Sequence, residues 1–123
     1  MNRREVDDYA RSWIAHWNAR DLDAVLAWFE PDATFRSPKA VGIVGKPVLE
    51  NRDELRAYWT RALEKIRSLR FELDHASWDE RKNELCIVYV AELDGNRSRA
   101  IERLSFSERN RVFDGEGFYG APM

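Results

Sequence analysis

Apolar positions divide the chain in two. Through the first half they recur at helical spacing, and from Leu69 onward they alternate with polar residues. Between Glu5 and Asn18, Val6, Ala10, Trp13 and Trp17 form a stripe flanked by Tyr9 and Ile14, which predicts an amphipathic helix. Asp21 is a suitable N-cap for a second, shorter helix carrying Leu22, Val25, Leu26 and Phe29, which Pro31 helps to end. Ala33 to Arg36 reads as a short strand. Ser37 to Glu50, with Pro38, Gly42, Gly45 and Pro47, reads as a long loop, a length often reserved for a lid or rim. Asn51 with Glu54 resembles a capping box, and behind it Leu55, Tyr58, Trp59, Ala62, Leu63 and Ile66 predict a third helix.

The last third predicts an antiparallel meander. Asp94-Gly95 is a strong hairpin signal, because a type I′ turn needs positive φ at both central residues. It pairs Leu93 with Asn96, Ala91 with Ser98, Tyr89 with Ala100, Ile87 with Glu102 and Leu85 with Leu104. A second turn at Arg109-Asn110 pairs Phe106 with Phe113, Leu104 with Gly115, Glu102 with Gly117 and Ala100 with Tyr119. Both registers agree on the faces. Leu85, Ile87, Tyr89, Ala91, Ala100, Leu104, Phe106, Phe113 and Tyr119 share one face with a single charge, Glu102, and this is the predicted buried face. The other carries Val88, Val90, Ile101 and Phe118 among charges, with Glu92–Arg97 and Arg103–Glu116 as cross-strand ion pairs.

Ahead of the meander, Arg70 to Trp78 reads as one more strand, with Leu69, Phe71, Leu73 and His75 on one face. The polar turn Asp79 to Glu84 leaves open whether His75 or Trp78 faces inward. Helix, helix, short strand, helix and four long strands make an α+β pattern, a curved, mostly antiparallel sheet packed against three helices as a cone.

At 123 residues the chain reads as a single domain spanning 1–123. A net charge of −2 supplies no field to attract nucleic acid or an anionic membrane. The N-terminus lacks the apolar core of a signal peptide, and no apolar run is long enough to span a membrane. Cys86 alone cannot form an internal disulfide, which points to a reduced cytoplasm. His16 and His75 are far apart without ligand-pair spacing, so no metal site is expected, and acid–base chemistry at a carboxylate would need no cofactor. Arg97, Arg99, Arg103, Arg109 and Arg111 read as a solvated ladder partnered by Glu92, Glu116 and Glu108.

The run Trp13-Ile14-Ala15-His16-Trp17-Asn18-Ala19-Arg20-Asp21-Leu22-Asp23-Ala24-Val25, then Phe29-Glu30-Pro31-Asp32-Ala33-Thr34-Phe35-Arg36-Ser37-Pro38, with Tyr58-Trp59 and Gly117-Phe118-Tyr119, resembles the nuclear transport factor 2-like superfamily. Within it the likeness is to SnoaL-like proteins and ketosteroid isomerases. It covers nearly the whole chain and implies the fold, but this fold hosts isomerases, cyclases, dehydratases, epoxide hydrolases and non-catalytic adaptors. Ketosteroid isomerases place a tyrosine on the first helix, a basic aspartate after the first strand and a protonated aspartate on a late strand. The corresponding residues are Trp13, Ser37 and Glu102. A serine cannot abstract a proton at neutral pH unaided, so ketosteroid isomerisation itself is not expected. Ala100 stands where the fold's epoxide hydrolases carry an arginine.

Gly115 and Gly117 fall beside Leu104 and Glu102 on the buried face, and two missing side chains there predict a hollow. A carboxylate in an apolar concavity is a candidate proton-handling group, which makes Glu102 the candidate catalytic residue. The expected pocket walls are Trp13, Trp17, Tyr58, Trp59, Tyr89, Leu104, Gly115, Gly117 and Tyr119, with His16, Arg36 and Ser37 at the rim. Val88, Val90, Ile101, Arg103, Glu116 and Phe118 form an apolar patch ringed by charge, read as a homodimer interface. Two functions follow as expectations: a cofactor-independent isomerase, cyclase or lyase acting on a polyketide- or steroid-like molecule, or a non-catalytic module binding a ligand or a protein.

Overall fold

The computed structural model describes all residues, 1–123. Its elements run α1 (Arg3–Asn18), α2 (Leu22–Leu26), β1 (Phe29–Arg36), a 3-10 turn (Pro38–Ala40), α3 (Val41–Val44), β2 (Val48–Leu49), α4 (Arg52–Lys65), β3 (Leu69–Asp79), β4 (Glu84–Leu93), β5 (Asn96–Phe106) and β6 (Val112–Pro122). The six strands form one sheet in the order β2-β1-β6-β5-β4-β3, antiparallel except where β1 runs parallel to β6. The fold is the expected α+β arrangement of helices on one face of a curved, unclosed sheet.

Helix α1 starts on a full capping box: the Asn2 side chain accepts from the Glu5 N–H while the Glu5 carboxylate accepts from the Asn2 N–H. It buries Val6, Tyr9, Ala10, Trp13 and Trp17. Its end is tied to β3 by Asn18, whose side chain accepts from the Phe71 N–H at 2.7 Å and donates to the Phe71 carbonyl at 2.9 Å. Arg20, at φ 55°, donates to the Leu63 and Ile66 carbonyls at 3.1 and 3.0 Å and so closes the C-terminal end of α4.

All five pairs of the first hairpin occur as expected, with φ of 51° at Asp94 and 84° at Gly95. The Asp94 carboxylate also accepts from the Arg67 and Ser68 N–H groups at 2.9 and 2.8 Å, locking the turn to the α4–β3 connection. In the second hairpin Leu104–Gly115, Glu102–Gly117 and Ala100–Tyr119 hold. Nearer the turn the register slips by one, so Val112, not Phe113, lies opposite Phe106. Val112 is fully buried and Phe113 is 48% exposed. The cause is distant in sequence: the Val112 N–H donates to the Trp28 carbonyl at 2.8 Å, drawing the start of β6 onto β1.

That pairing also shortens α2, which stops at Leu26 because Phe29 is already the first residue of β1, aligned with Val112. Pro31 therefore lies inside β1. It is tolerated because the β1–β6 register jumps from Phe29 to Thr34, leaving the residues between without ladder partners. The segment read as a loop holds the 3-10 turn, α3 and β2; Pro38 opens the turn and Gly45, at φ 83°, ends α3. Its two ends are joined by Phe35–Leu49 and Arg36–Val48 pairing and by the Ser37 N–H donating to the Pro47 carbonyl at 2.9 Å.

Strand β3 carries a bulge at Asp74, between the Leu73–Tyr89 and His75–Val88 pairs. The extra residue reverses the alternation. His75 turns outward beside Asp74, while Ala76 is buried and Trp78 packs its ring on Phe106. On the outer face Arg103 does pair with Glu116, at 3.7 Å, and more closely with Asp114 at 2.9 Å and Glu84 at 3.3 Å. Glu92 and Arg97 are register partners without forming an ion pair. Arg99 and Arg109 find Asp74 and Glu30 instead.

Candidate functional site

A cavity of about 250 Å³ opens between α1, the C-terminal half of α4 and the sheet. Trp13 and Trp17 project from α1, Tyr58, Trp59, Ala62 and Leu63 from α4, Phe71 from β3, Tyr89 and Ala91 from β4, and Glu102 from β5. Phe35, Ile43, Tyr119, Lys39 and Lys65 complete much of its wall and rim. The aromatic rings brace one another edge-on, with Trp17 on Trp59 at 5.0 Å and Trp13 on Tyr89 at 5.0 Å between centroids. A wall so made is preformed.

Glu102 is 4% exposed and makes no ion pair or side-chain hydrogen bond within the protein. Burial alone pushes its carboxyl up to about 8, so at neutral pH it is mostly a protonated acid. Burial, followed by the nearby Glu102 charge, also raises the Tyr9 and Tyr89 hydroxyls and that of Tyr119. The indole N–H groups of Trp13 and Trp17 and the Tyr9 hydroxyl are buried without partners. Such donors are rare in folded proteins.

The sequence-derived candidates fall into three groups. Trp13, Trp17, Tyr58, Trp59, Tyr89, Glu102 and Tyr119 come together around the cavity. Ser37 lies behind its wall, 1% exposed, sharing a 2.9 Å hydrogen bond with the Tyr58 hydroxyl. Leu104, His16, Arg36 and Gly115 lie elsewhere, and Gly117 stands beside the lining residues Glu102 and Tyr119 without lining the cavity itself. Leu104 is sealed in the core, and His16 sits half-buried near the end of α1. Arg36 is exposed, 3.5 Å from Asp114, because strand alternation sends it away from the face that Phe35 occupies.

The glycines leave no hollow. A Cβ on Gly115 would lie 2.8 Å from the Phe35 ring, which fills that space, and one on Gly117 would meet the Tyr119 hydroxyl at 3.4 Å and Glu102 Oε1 at 3.5 Å. Lining residues outside the expected set include Phe35, Lys39, Ile43, Lys65, Ile66, Leu69, Phe71 and Leu93. Leu69 and Phe71 shared a predicted face, and Ile66 continued the α4 stripe. For Lys39 and Lys65 the sequence carried no signal. No helix is long and apolar enough to cross a membrane.

The architecture is that of the nuclear transport factor 2-like, or cystatin-like, folds. The SnoaL-like domain model matches residues 10–115, and the chain belongs to that family. Among solved structures, a SnoaL-like protein of unknown function from Burkholderia thailandensis is 29% identical, with a TM-score of 0.86 over 98% of each chain. The epoxide hydrolase/cyclase-like enzyme SalBIII of pyran ring formation in the polyether salinomycin is 19% identical, at TM-score 0.72 over 95% of this chain and 92% of its own. AusH from Aspergillus nidulans is 19% identical, at TM-score 0.75 over 98% and 86%. No curated protein matches the chain.

Proposed function

We propose that the protein binds a small, largely apolar oxygenated molecule and rearranges it by cofactor-independent acid–base chemistry of the isomerase, cyclase or lyase type. The observation that carries this reading is the Glu102 carboxyl, buried without a counter-ion on the wall of an apolar cavity. A carboxyl titrating near 8 changes protonation close to physiological pH, so one group can give a proton to a substrate oxygen and take one back from carbon. A cavity of about 250 Å³ lies below the ~300 Å³ at which pockets for drug-sized ligands begin. One or two fused rings of polyketide type therefore suit it better than a four-ring steroid.

The competing reading is a binding module that keeps the cavity without chemistry. In its favour, Ser37 is engaged by Tyr58 and brings no base to the cavity. The test is turnover of a panel of mono- and bicyclic polyketide-type ketones by the wild type and Glu102→Gln, with circular dichroism as the fold control. The enzyme reading expects the variant to lose on the order of 10²–10⁴-fold in rate with its fold intact. Ligand binding without turnover by either protein would favour the module.

The outer sheet face supports a homodimer. Val88, Val90, Ile101 and Phe118 lie there beside Arg103 and Glu116, and Phe118 is 45% exposed. Native mass spectrometry at micromolar concentration should give a dimer that Phe118→Asp dissociates; a wild-type monomer would overturn this.

A further inference from the structure

The cavity lining carries only three charged side chains, and they are unevenly disposed. Glu102 is buried in the wall, whereas Lys39 and Lys65 are exposed at the rim. Lys39 stands on the 3-10 turn with its ammonium 4.1 Å from the Tyr119 ring centroid, and Lys65 is the last residue of α4. Neither lysine is ion-paired, although Lys46, nearby in sequence, reaches Glu54 at 2.7 Å. Lys39 and Tyr119 also border an adjoining groove whose lining includes Arg97 and no acidic side chain.

We propose that the ligand of this cavity is amphipathic: an apolar ring system enters toward Glu102, and a carboxylate at its outer end is held by Lys39 and Lys65. The proposal rests on the cavity being the ligand site and deepens it by naming the class of molecule, a small aromatic or polyketide-type carboxylic acid. The Lys39 ammonium is partly desolvated, and burial lowers its pKa without an acidic side chain to offset the cost. A ligand anion supplies that missing charge, while the aromatic walls exclude water from the rest of the molecule. The opposite orientation is disfavoured, because a carboxylate driven inward would meet fifteen hydrophobic lining residues and no cation.

The lysines are held in place by other elements. Arg20 fixes the end of α4 through the Leu63 and Ile66 carbonyls, and the Ser37–Pro47 hydrogen bond closes the segment that carries Lys39. Both ammonium groups therefore sit on anchored backbone.

The test uses 2-naphthoate and its uncharged counterpart 2-naphthamide, titrated into the wild type and a Lys39→Gln/Lys65→Gln variant, with binding read from indole fluorescence. The wild type should bind 2-naphthoate about five- to tenfold more tightly than 2-naphthamide, as expected for two partly exposed charge contacts. In the variant the preference for 2-naphthoate over 2-naphthamide should vanish. Equal binding of both probes by the wild type would overturn the anion proposal and leave the cavity reading standing. Failure of both probes to bind the folded wild type would overturn both. A preference for 2-naphthoate that survives in the variant would also reject the role of these lysines.

Discussion

Replacing Glu102 by glutamine should flatten the dependence of stability on pH. Burial raises the Glu102 carboxyl from an ordinary 4.5 to about 8 in the folded protein, whereas the unfolded chain returns it to water. Between these values the folded state holds a proton that the unfolded state has released, so the unfolding free energy falls as pH rises. The contribution is fully present below about pH 4.5, declines through neutrality and is exhausted above about pH 8. At about 1.4 kcal/mol for each pH unit, going from about pH 5 to about pH 7.5 removes on the order of 3 kcal/mol. That is a large share of the ~5–15 kcal/mol by which domains are stable.

Glutamine keeps the shape of the protonated acid and never ionises. The assay is urea denaturation followed by indole fluorescence, with wild type and Glu102→Gln compared from about pH 5 to about pH 8. Taking the difference at each pH cancels every other titrating group. The two proteins should be nearly equally stable at the acid end, and the variant should be the more stable by several kcal/mol at the alkaline end. Parallel curves would refute the reasoning, because they would mean that Glu102 is solvated or paired in the folded state.

Gly115→Ala should cost about 1–3 kcal/mol, since its Cβ would press to 2.8 Å from the Phe35 ring and 3.2 Å from the Arg103 carbonyl. Gly117→Ala meets only ordinary contacts at 3.4 Å and beyond, so thermal unfolding should separate the two variants by several degrees. Tyr58→Phe strips the buried Ser37 hydroxyl of its partner and should lose about 1–3 kcal/mol. Adding Ser37→Ala should recover part of that loss in a double-mutant cycle.

What the sequence made legible was what local rules decide. Asp94-Gly95 dictated a turn geometry, and the register and faces of β4 and β5 followed, including the inward placement of Glu102. Asn51 and Asp21 announced helix starts in the same way. The misses came from contacts between residues far apart in the chain. Phe113 faces outward because Trp28 captures the Val112 N–H, and Phe29 joined a strand for the same reason. The Asp74 bulge left no mark, because an extra polar residue in an alternating strand changes no propensity, yet it decided between His75 and Trp78. The cavity was anticipated beside the glycines. It does reach Glu102 and Tyr119, the neighbours of Gly117, but it opens where α4 stands off the sheet, a spacing set by how whole elements pack.

The segment from Pro38 to Pro47 leaves the sheet and returns to it at adjacent points, its ends pinned by the β1–β2 pairing and the Ser37–Pro47 hydrogen bond. Its length is therefore cheap to vary, since doubling a closed loop costs only about 0.6 kcal/mol. Because Lys39 and Ile43 ride on it and reach the cavity, it behaves as a replaceable panel. Exchanging this stretch between relatives would rebuild the Lys39 and Ile43 side of the cavity while leaving Glu102 and the walls on α1, α4 and β4 in place.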